Sequence, residues 1–348
     1  MTLTMTRQQW AVGQGGFHSG RLLEDGDVRF RYVFDCGAMS TYEAARNSCI
    51  DSYIDGEGGK GTDLDYLFIT HAHDDHLNGV KRLLDATKGM KVKVIVMPLL
   101  SVVDRLISYA RTASVDPKAA ANGFYRSFIV DPVRAVSQFG PAQIIQVRSN
   151  GEGAPFSMPD SDQDFDGPFA RSNEPGPRMP LKMVGRSTMQ RVTSPATASK
   201  TAQAKARPQV WIADDSLGFL YLGAAPNATW LLAPYVDPRV EEDAAAFMAA
   251  LATERKTTVA ELKIWLKKTS NLTLLLTHGL PHLVAAYHAV SKDLNVTSLS
   301  LYSGPLPDEV VKVPAADIKV SILTGPIVFT GNDDRAAWLG TGDAALKG

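Results

Sequence analysis

Apolar and polar positions alternate in short bursts through the first hundred residues. Residues 9–13, 19–23, 29–35 and 64–70 carry the two-residue period or the continuous apolar run of strands, and Glu24-Asp25-Gly26-Asp27 supplies a hairpin turn between two of them. Residues 77–86 change to helical spacing. Val92-Lys93-Val94-Ile95-Val96 is a β-rich run closed by Pro98, and residues 101–113 predict a helix with Val102, Val103, Leu106 and Ile107 on one face. From 149 to 208 the periodicity lapses into Gly, Pro, Ser, Asp and Ala, with scattered basic residues such as Arg171 and Lys205, which predicts a low-complexity insertion or mobile loop. Strand patterns resume from Val210, at 219–222 and 230–235. Two helices at 241–252 and 259–268 open a mainly helical insertion over 240–293, and strands are expected at 272–277, 296–302, 321–329 and 336–340. The alternation suits an α/β (α+β) fold, a four-layer αβ/βα sandwich in which two mainly antiparallel sheets stack and helices cover the outside.

The most informative segment follows the apolar run 64–69. In Thr70-His71-Ala72-His73-Asp74-Asp75-His76, three of the seven histidines of the chain stand beside two carboxylates. Side chains two apart project the same way from an extended backbone, so His71 and His73 point together, while Asp75 and His76 can turn toward a neighbouring position. Imidazole and carboxylate are the ligands that zinc and similar divalent ions prefer, so one short loop can serve two adjacent ions.

These residues resemble the His-x-His-x-Asp-His signature of the metallo-β-lactamase superfamily, and further segments in order support the resemblance. Val12-Gly13-Gln14-Gly15-Gly16-Phe17-His18-Ser19 is similar to the first-strand loop of the subgroup related to the nuclease domain of bacterial competence (DNA-uptake) proteins. Tyr32-Val33-Phe34-Asp35-Cys36-Gly37 resembles the strand whose terminal aspartate braces the metal loop, and Trp338 to Ala344 contains a Thr-Gly-Asp like the one whose aspartate, here Asp343, bridges two metals. The resemblance implies one metallo-β-lactamase-like catalytic domain over 1–348, because its segments must converge on one site. It implies two divalent metal ions, zinc or manganese: His71 and His73 on the first, Asp75 and His76 on the second, Asp343 between them, with Asp75 also orienting the nucleophile and Asp35 holding the ligands from behind.

Two features depart from the family pattern. No histidine lies between His76 and His278, where a third ligand motif is expected, and the chain stops five residues after Asp343, before any Pro-His-His-Gly segment. A sandwich incomplete at its C-terminal end is therefore expected, and the chain is a truncation, a fragment, one half of a split protein or a degenerate member. His278 and His282, after the strand expected at 272–277, are either substitute ligands or proton donors in the cleft, or surface histidines. His18, beside the glycine loop, is a candidate cleft residue.

Composition narrows the partners. With 36 basic and 37 acidic residues the formal charge is −1, so a nucleic-acid substrate needs a local basic patch. Two cysteines build no disulfide framework, and neither a signal peptide nor an apolar membrane span is evident, which points to a cytoplasmic protein with no membrane partner. The expected activity is metal-dependent hydrolysis of a phosphodiester, as in a nuclease or nucleotide phosphodiesterase. The alternatives are hydrolysis of a small ester, lactone or amide, and a latent protein that needs a C-terminal fragment or regulatory partner to complete its site.

Overall fold

In the computed structural model the described residues are 2–149, 181–185, 187, 189–192, 207–223, 229–237, 241–290, 297–304 and 319–322. The chain begins with β1 (Leu3–Gln9), β2 (Phe17–Glu24), β3 (Asp27–Cys36), α1 (Glu43–Gly56), β4 (Asp63–Phe68), two single helical turns, α2 (Asp74–Leu77) and α3 (Val80–Leu83), and β5 (Lys91–Pro98). A helical stretch follows, α4 (Val102–Val115), α5 (Pro117–Ala120), α6 (Gly123–Val130) and α7 (Pro132–Ser137), then β6 (Gln143–Arg148). The second half holds β7 (Lys182–Gly185), β8 (Gln190–Arg191), β9 (Gln209–Asp214), β10 (Leu217–Leu222), β11 (Thr229–Asp237), α8 (Glu241–Glu254), α9 (Val259–Leu266), α10 (Thr269–His278), α11 (Leu280–Val290), β12 (Ser298–Gly304) and β13 (Lys319–Ile322).

The strands form two sheets. The larger has the order β13-β1-β2-β3-β4-β5-β6-β9-β8, and the smaller β12-β11-β10-β7. Strands β3, β4, β5, β6 and β9 run parallel, so the large sheet is mixed rather than mainly antiparallel, whereas the small sheet is antiparallel throughout. The parallel strands are buried on both faces, the reason they read as unbroken apolar runs. On one face Val33, Leu64, Leu67, Val92, Ile95 and Ile144 meet the helices. On the other, Tyr32, Tyr66, Phe68, Val94, Val96 and Ile145 meet Met183, Phe219, Trp230 and Leu232 of the small sheet. The architecture is thus an α/β sandwich with two cores. Every described helix that buries apolar side chains does so in the first core. The outer face of the small sheet carries its own cluster, Val184, Leu220, Leu231 and Ala233, which no described helix covers, so the described residues show three layers where four were expected.

Several elements differ from the sequence-based expectation. The strand expected at 9–13 is β1 and ends at Gln9; residues 10–16 form the loop after it. Residues 43–56, within a stretch expected to hold strands and turns, are helix α1, whose buried positions Arg46, Ile50, Tyr53 and Ile54 have helical spacing with a charged first member that masks it. The helix expected at 77–86 is two turns broken at Asn78-Gly79, where Gly79 N donates to Cys36 O at 2.8 Å. The strand expected at 272–277 is helix α10. It buries Leu272, Leu275 and Leu276 and exposes Thr273, Leu274 and Thr277, so packing against neighbouring helices overrides a β-rich local sequence.

Other expectations agree in place. The turn between β2 and β3 has φ +52° at Asp25 and +90° at Gly26, as a two-residue hairpin requires. Helix α4 opens on a capping box: Asp104 N donates to Ser101 Oγ at 3.1 Å, and Ser101 N donates to Asp104 Oδ2 at 3.0 Å. Within the stretch expected to be a low-complexity insertion or mobile loop, residues 182–185 and 190–191 are strands, β7 pairing with β10 and β8 with β9. Among the described residues no helix is long and apolar enough to cross a membrane. Most of the strand expected at 321–329, the strand expected at 336–340 and Asp343 itself lie outside the described residues.

Candidate metal centre

The histidine loop leaves the sheet at the carboxyl end of β4, beside the carboxyl ends of β3 and β5, where parallel sheets present ligand sites. Ile69 N still bonds to Val96 O at 2.9 Å, and Leu299 N donates to Thr70 O at 2.8 Å, tying the loop to both sheets. Asp35, at the end of β3, has φ +57°, an uncommon left-handed conformation for a residue other than glycine. It turns an almost fully buried carboxylate, 2% exposed, under the loop.

That carboxylate organises the imidazoles. Thr70 N donates to Asp35 Oδ1 at 2.8 Å, and Thr70 Oγ1 donates to Asp35 Oδ2 at 2.7 Å. With its proton committed, Thr70 Oγ1 accepts from Nδ1 of His71, 2.8 Å away. His76 Nδ1 lies 2.7 Å from Asp35 Oδ2 and donates to it. One carboxylate therefore favours a proton on Nδ1 of both rings, which makes Nε2 the nitrogen left to act as an acceptor in the neutral form of each. The His71 ring centroid lies 4.6 Å from that of His73 and 4.0 Å from that of His76. His73 is 7% exposed, and its Nε2 is buried with no hydrogen-bond partner among the described residues.

The loop backbone is held on three sides. Gly16 N donates to Asp75 O at 3.2 Å, and a Cβ at Gly16 would stand 2.8 Å from His76 Nδ1, so the glycine loop approaches the imidazole as only glycine can. From the helical layer, the buried Tyr125 Oη of α6 donates to Ala72 O at 2.9 Å and pairs with Thr112 Oγ1 of α4 at 3.0 Å. From below, Asn78 Nδ2 donates to Asp74 Oδ2 at 2.5 Å and to Ala38 O at 2.7 Å, while Arg46 donates to Asn78 Oδ1.

Burial sets the protonation states. It pulls His71 well below the ordinary histidine value, helped by the neighbouring His76 and His73, and it pulls His73 to about 3, helped by Arg111. Both rings are neutral at physiological pH. Burial lowers His76 too, but the Asp35 carboxylate outweighs it and holds this ring above its ordinary value. Burial raises Asp74 to about 7 against the Asn78 bond.

The neutral imidazoles of His71 and His73, the latter with a buried Nε2 that meets no described partner, and a partly exposed Asp75 are donor chemistry that fits a divalent metal centre. Among the described residues, however, no group of three or more His, Cys, Asp or Glu side chains is arranged to hold an ion as it stands. His76 Nε2 is 3.9 Å from Asp75 Oδ2.

The other candidate histidines are not brought to the loop. His278 ends α10 and His282 lies in the first turn of α11, both exposed on the helical layer, with His282 Nδ1 3.7 Å from Glu254 Oε2. Their expected place after a strand is corrected with the helix that replaces it. His18, on β2, stacks near Tyr32 with Nε2 3.4 Å from its hydroxyl, and burial followed by the charge of Arg7 lowers it to about 4. Sequence reasoning missed Thr112, Tyr125, Asn78 and Arg111, which reach the loop from α4, α6 and the turn after α2. Their positions depend on packing and leave no local signal.

No curated protein and no solved structure matches the chain. One family model, described as Metallo-beta-lactamase superfamily, matches residues 22–96, from β2 through the histidine loop to the end of β5. The stretch that builds the Asp35–Thr70–His76 arrangement lies within the residues this model matches, so that part of the chain is similar to the metallo-β-lactamase superfamily.

Proposed function

We propose that this protein is a metal-dependent hydrolase of phosphodiesters, a nuclease or nucleotide phosphodiesterase. His71, His73, Asp75 and His76, with Asp343, would hold two divalent ions, zinc or manganese. Such ions supply Lewis acidity and a bound water acidified toward neutrality. The observation that carries the reading is the single buried carboxylate of Asp35, which orients the His71 and His76 rings through their Nδ1 atoms, beside a His73 whose buried Nε2 meets no described hydrogen-bond partner. Asp35 and Thr70 orient the rings, Tyr125 and Gly16 fix the loop, and Asp75 is the carboxylate accessible to the nucleophile. The phosphodiester preference rests on the sequence resemblance to the competence-protein nuclease group, and a small ester, lactone or amide is the rival substrate.

The test is turnover by protein stripped of metal and reloaded with zinc or manganese, against bis(p-nitrophenyl) phosphate, single-stranded DNA, p-nitrophenyl acetate and a lactone. Metal-dependent cleavage of the first two supports the reading. Cleavage of only the ester or lactone would replace the substrate class. A second reading, a site closed only by a further donor, is favoured by the incomplete convergence of the described donors. It predicts turnover only after a C-terminal segment or regulatory partner is added.

A further inference from the structure

Arg111 stands on the exposed side of α4, one residue before Thr112. Through the Thr112–Tyr125 pair and the bond from Tyr125 to Ala72 O, that helix is tied to the histidine loop by way of α6. Arg111 lines one cleft with Gln14, His73, Asp74, Asp75 and Asp116. Two of the three carboxylates there are committed: Asp74 accepts from Asn78, and Asp116 accepts from Ser40 N, Ser40 Oγ and Ala119 N. The Arg111 guanidinium makes no hydrogen bond or ion pair with any described residue. Its charge is nevertheless felt by His71, His73 and His76.

Among the described residues lining this cleft, which include three carboxylates, Arg111 is the only permanent cation, and its forked donor is the group there suited to an oxyanion. Guanidinium matches the two free oxygens of a phosphate bidentately, which a metal centre engaged on the reacting phosphate leaves to be done for a neighbouring one. We propose that Arg111 is a specificity-determining residue that anchors a phosphate group of the substrate beside the histidine loop. The assignment rests on the hydrolase reading for its meaning but is tested apart from it.

The experiment compares Arg111→Ala and Arg111→Lys with the wild-type chain, after checking that circular dichroism and zinc content are unchanged. A fluorescein-labelled pentathymidylate is the probe. Its Kd is measured by anisotropy in EDTA, and its KM and kcat with zinc restored. Loss of one charge-assisted phosphate contact predicts a weakening of about ten- to hundredfold in Kd and KM for Arg111→Ala, with Arg111→Lys intermediate because the fork is lost and the charge kept. Values within twofold of wild type for Arg111→Ala overturn the assignment, even if the wild type is an active nuclease. A wild type that binds through Arg111 but never cleaves this probe supports the assignment and overturns the reading of the chain as a nuclease. A wild type that neither binds nor cleaves overturns both.

Discussion

Asp35 Oδ2 lies 2.7 Å from His76 Nδ1, and the same oxygen accepts the Thr70 hydroxyl that holds His71. Two of the loop histidines are therefore oriented by one atom at the end of β3. Replacing Asp35 with Asn keeps a residue that tolerates φ +57° but removes the charge and one acceptor. The expected outcome is a folded protein whose zinc affinity falls about 10- to 100-fold. Asp35→Ala adds backbone strain and a stranded His76, and should lower stability by about 3–5 kcal/mol. Zinc titration of the first variant and urea unfolding of the second check this; wild-type values in both would remove Asp35 from the centre.

On the proposed reading His73 serves a metal rather than the fold. Its Nε2 is buried without a partner among the described residues, an arrangement that costs about 1–3 kcal/mol in the metal-free chain. His73→Leu should leave the metal-free protein as stable as wild type or more so, and abolish the rise in Tm on adding zinc. A variant that is destabilised without metal and still stabilised by zinc would show that this ring is structural.

Tyr125 acts on the loop from the opposite layer. Tyr125→Phe removes the bonds to Ala72 O and Thr112 Oγ1 while keeping the ring, and should cost about 1–2 kcal/mol of stability. Because the Ala72 carbonyl lies between His71 and His73, zinc affinity should fall as well. Unchanged zinc affinity in a destabilised variant would confine Tyr125 to packing.

The stability of the metal-free protein should depend on pH with a definite sign. Burial holds His18 at about 4, His73 at about 3 and His71 well below 6.5. A depressed histidine contributes stability that is full above its unfolded value of 6.5 and is lost as pH falls. Asp74, raised from 3.8 to about 7, works the other way, its contribution being full below 3.8 and lost as pH rises through 7. His76, also raised, begins to lose its contribution only above 6.5. Near pH 5 three histidines oppose one carboxyl, so unfolding takes up about two protons and the urea midpoint should fall between pH 6.5 and pH 5. A flat or rising midpoint would contradict the buried, neutral histidines.

What could be read from the sequence follows the range of the interactions involved. The parallel strands β4 and β5 announce themselves because both faces are buried, and the hairpin turn because its φ angles demand Asp-Gly. The histidine loop is legible because its donors are contiguous. Helix α1 was hidden by Arg46, a charged residue on its buried face that is satisfied by Asn47 and Asn78, and α10 by a run of Leu and Thr that suits a strand until neighbouring helices claim one side. Thr112, Tyr125 and Arg111 had no local signature. They reach the loop through the packing of α4 and α6 against the sheet, with Tyr125 lying 53 residues from its partner Ala72.

The central claim is that the loop from His71 to His76 binds metal. The most direct test is elemental analysis of the purified chain after dialysis against metal-free buffer, beside the His71→Ala and His73→Ala variants. The predicted result is zinc or manganese retained by the wild-type chain and lost from both variants. A wild-type chain that retains none, and takes up none when zinc is titrated back, would contradict it.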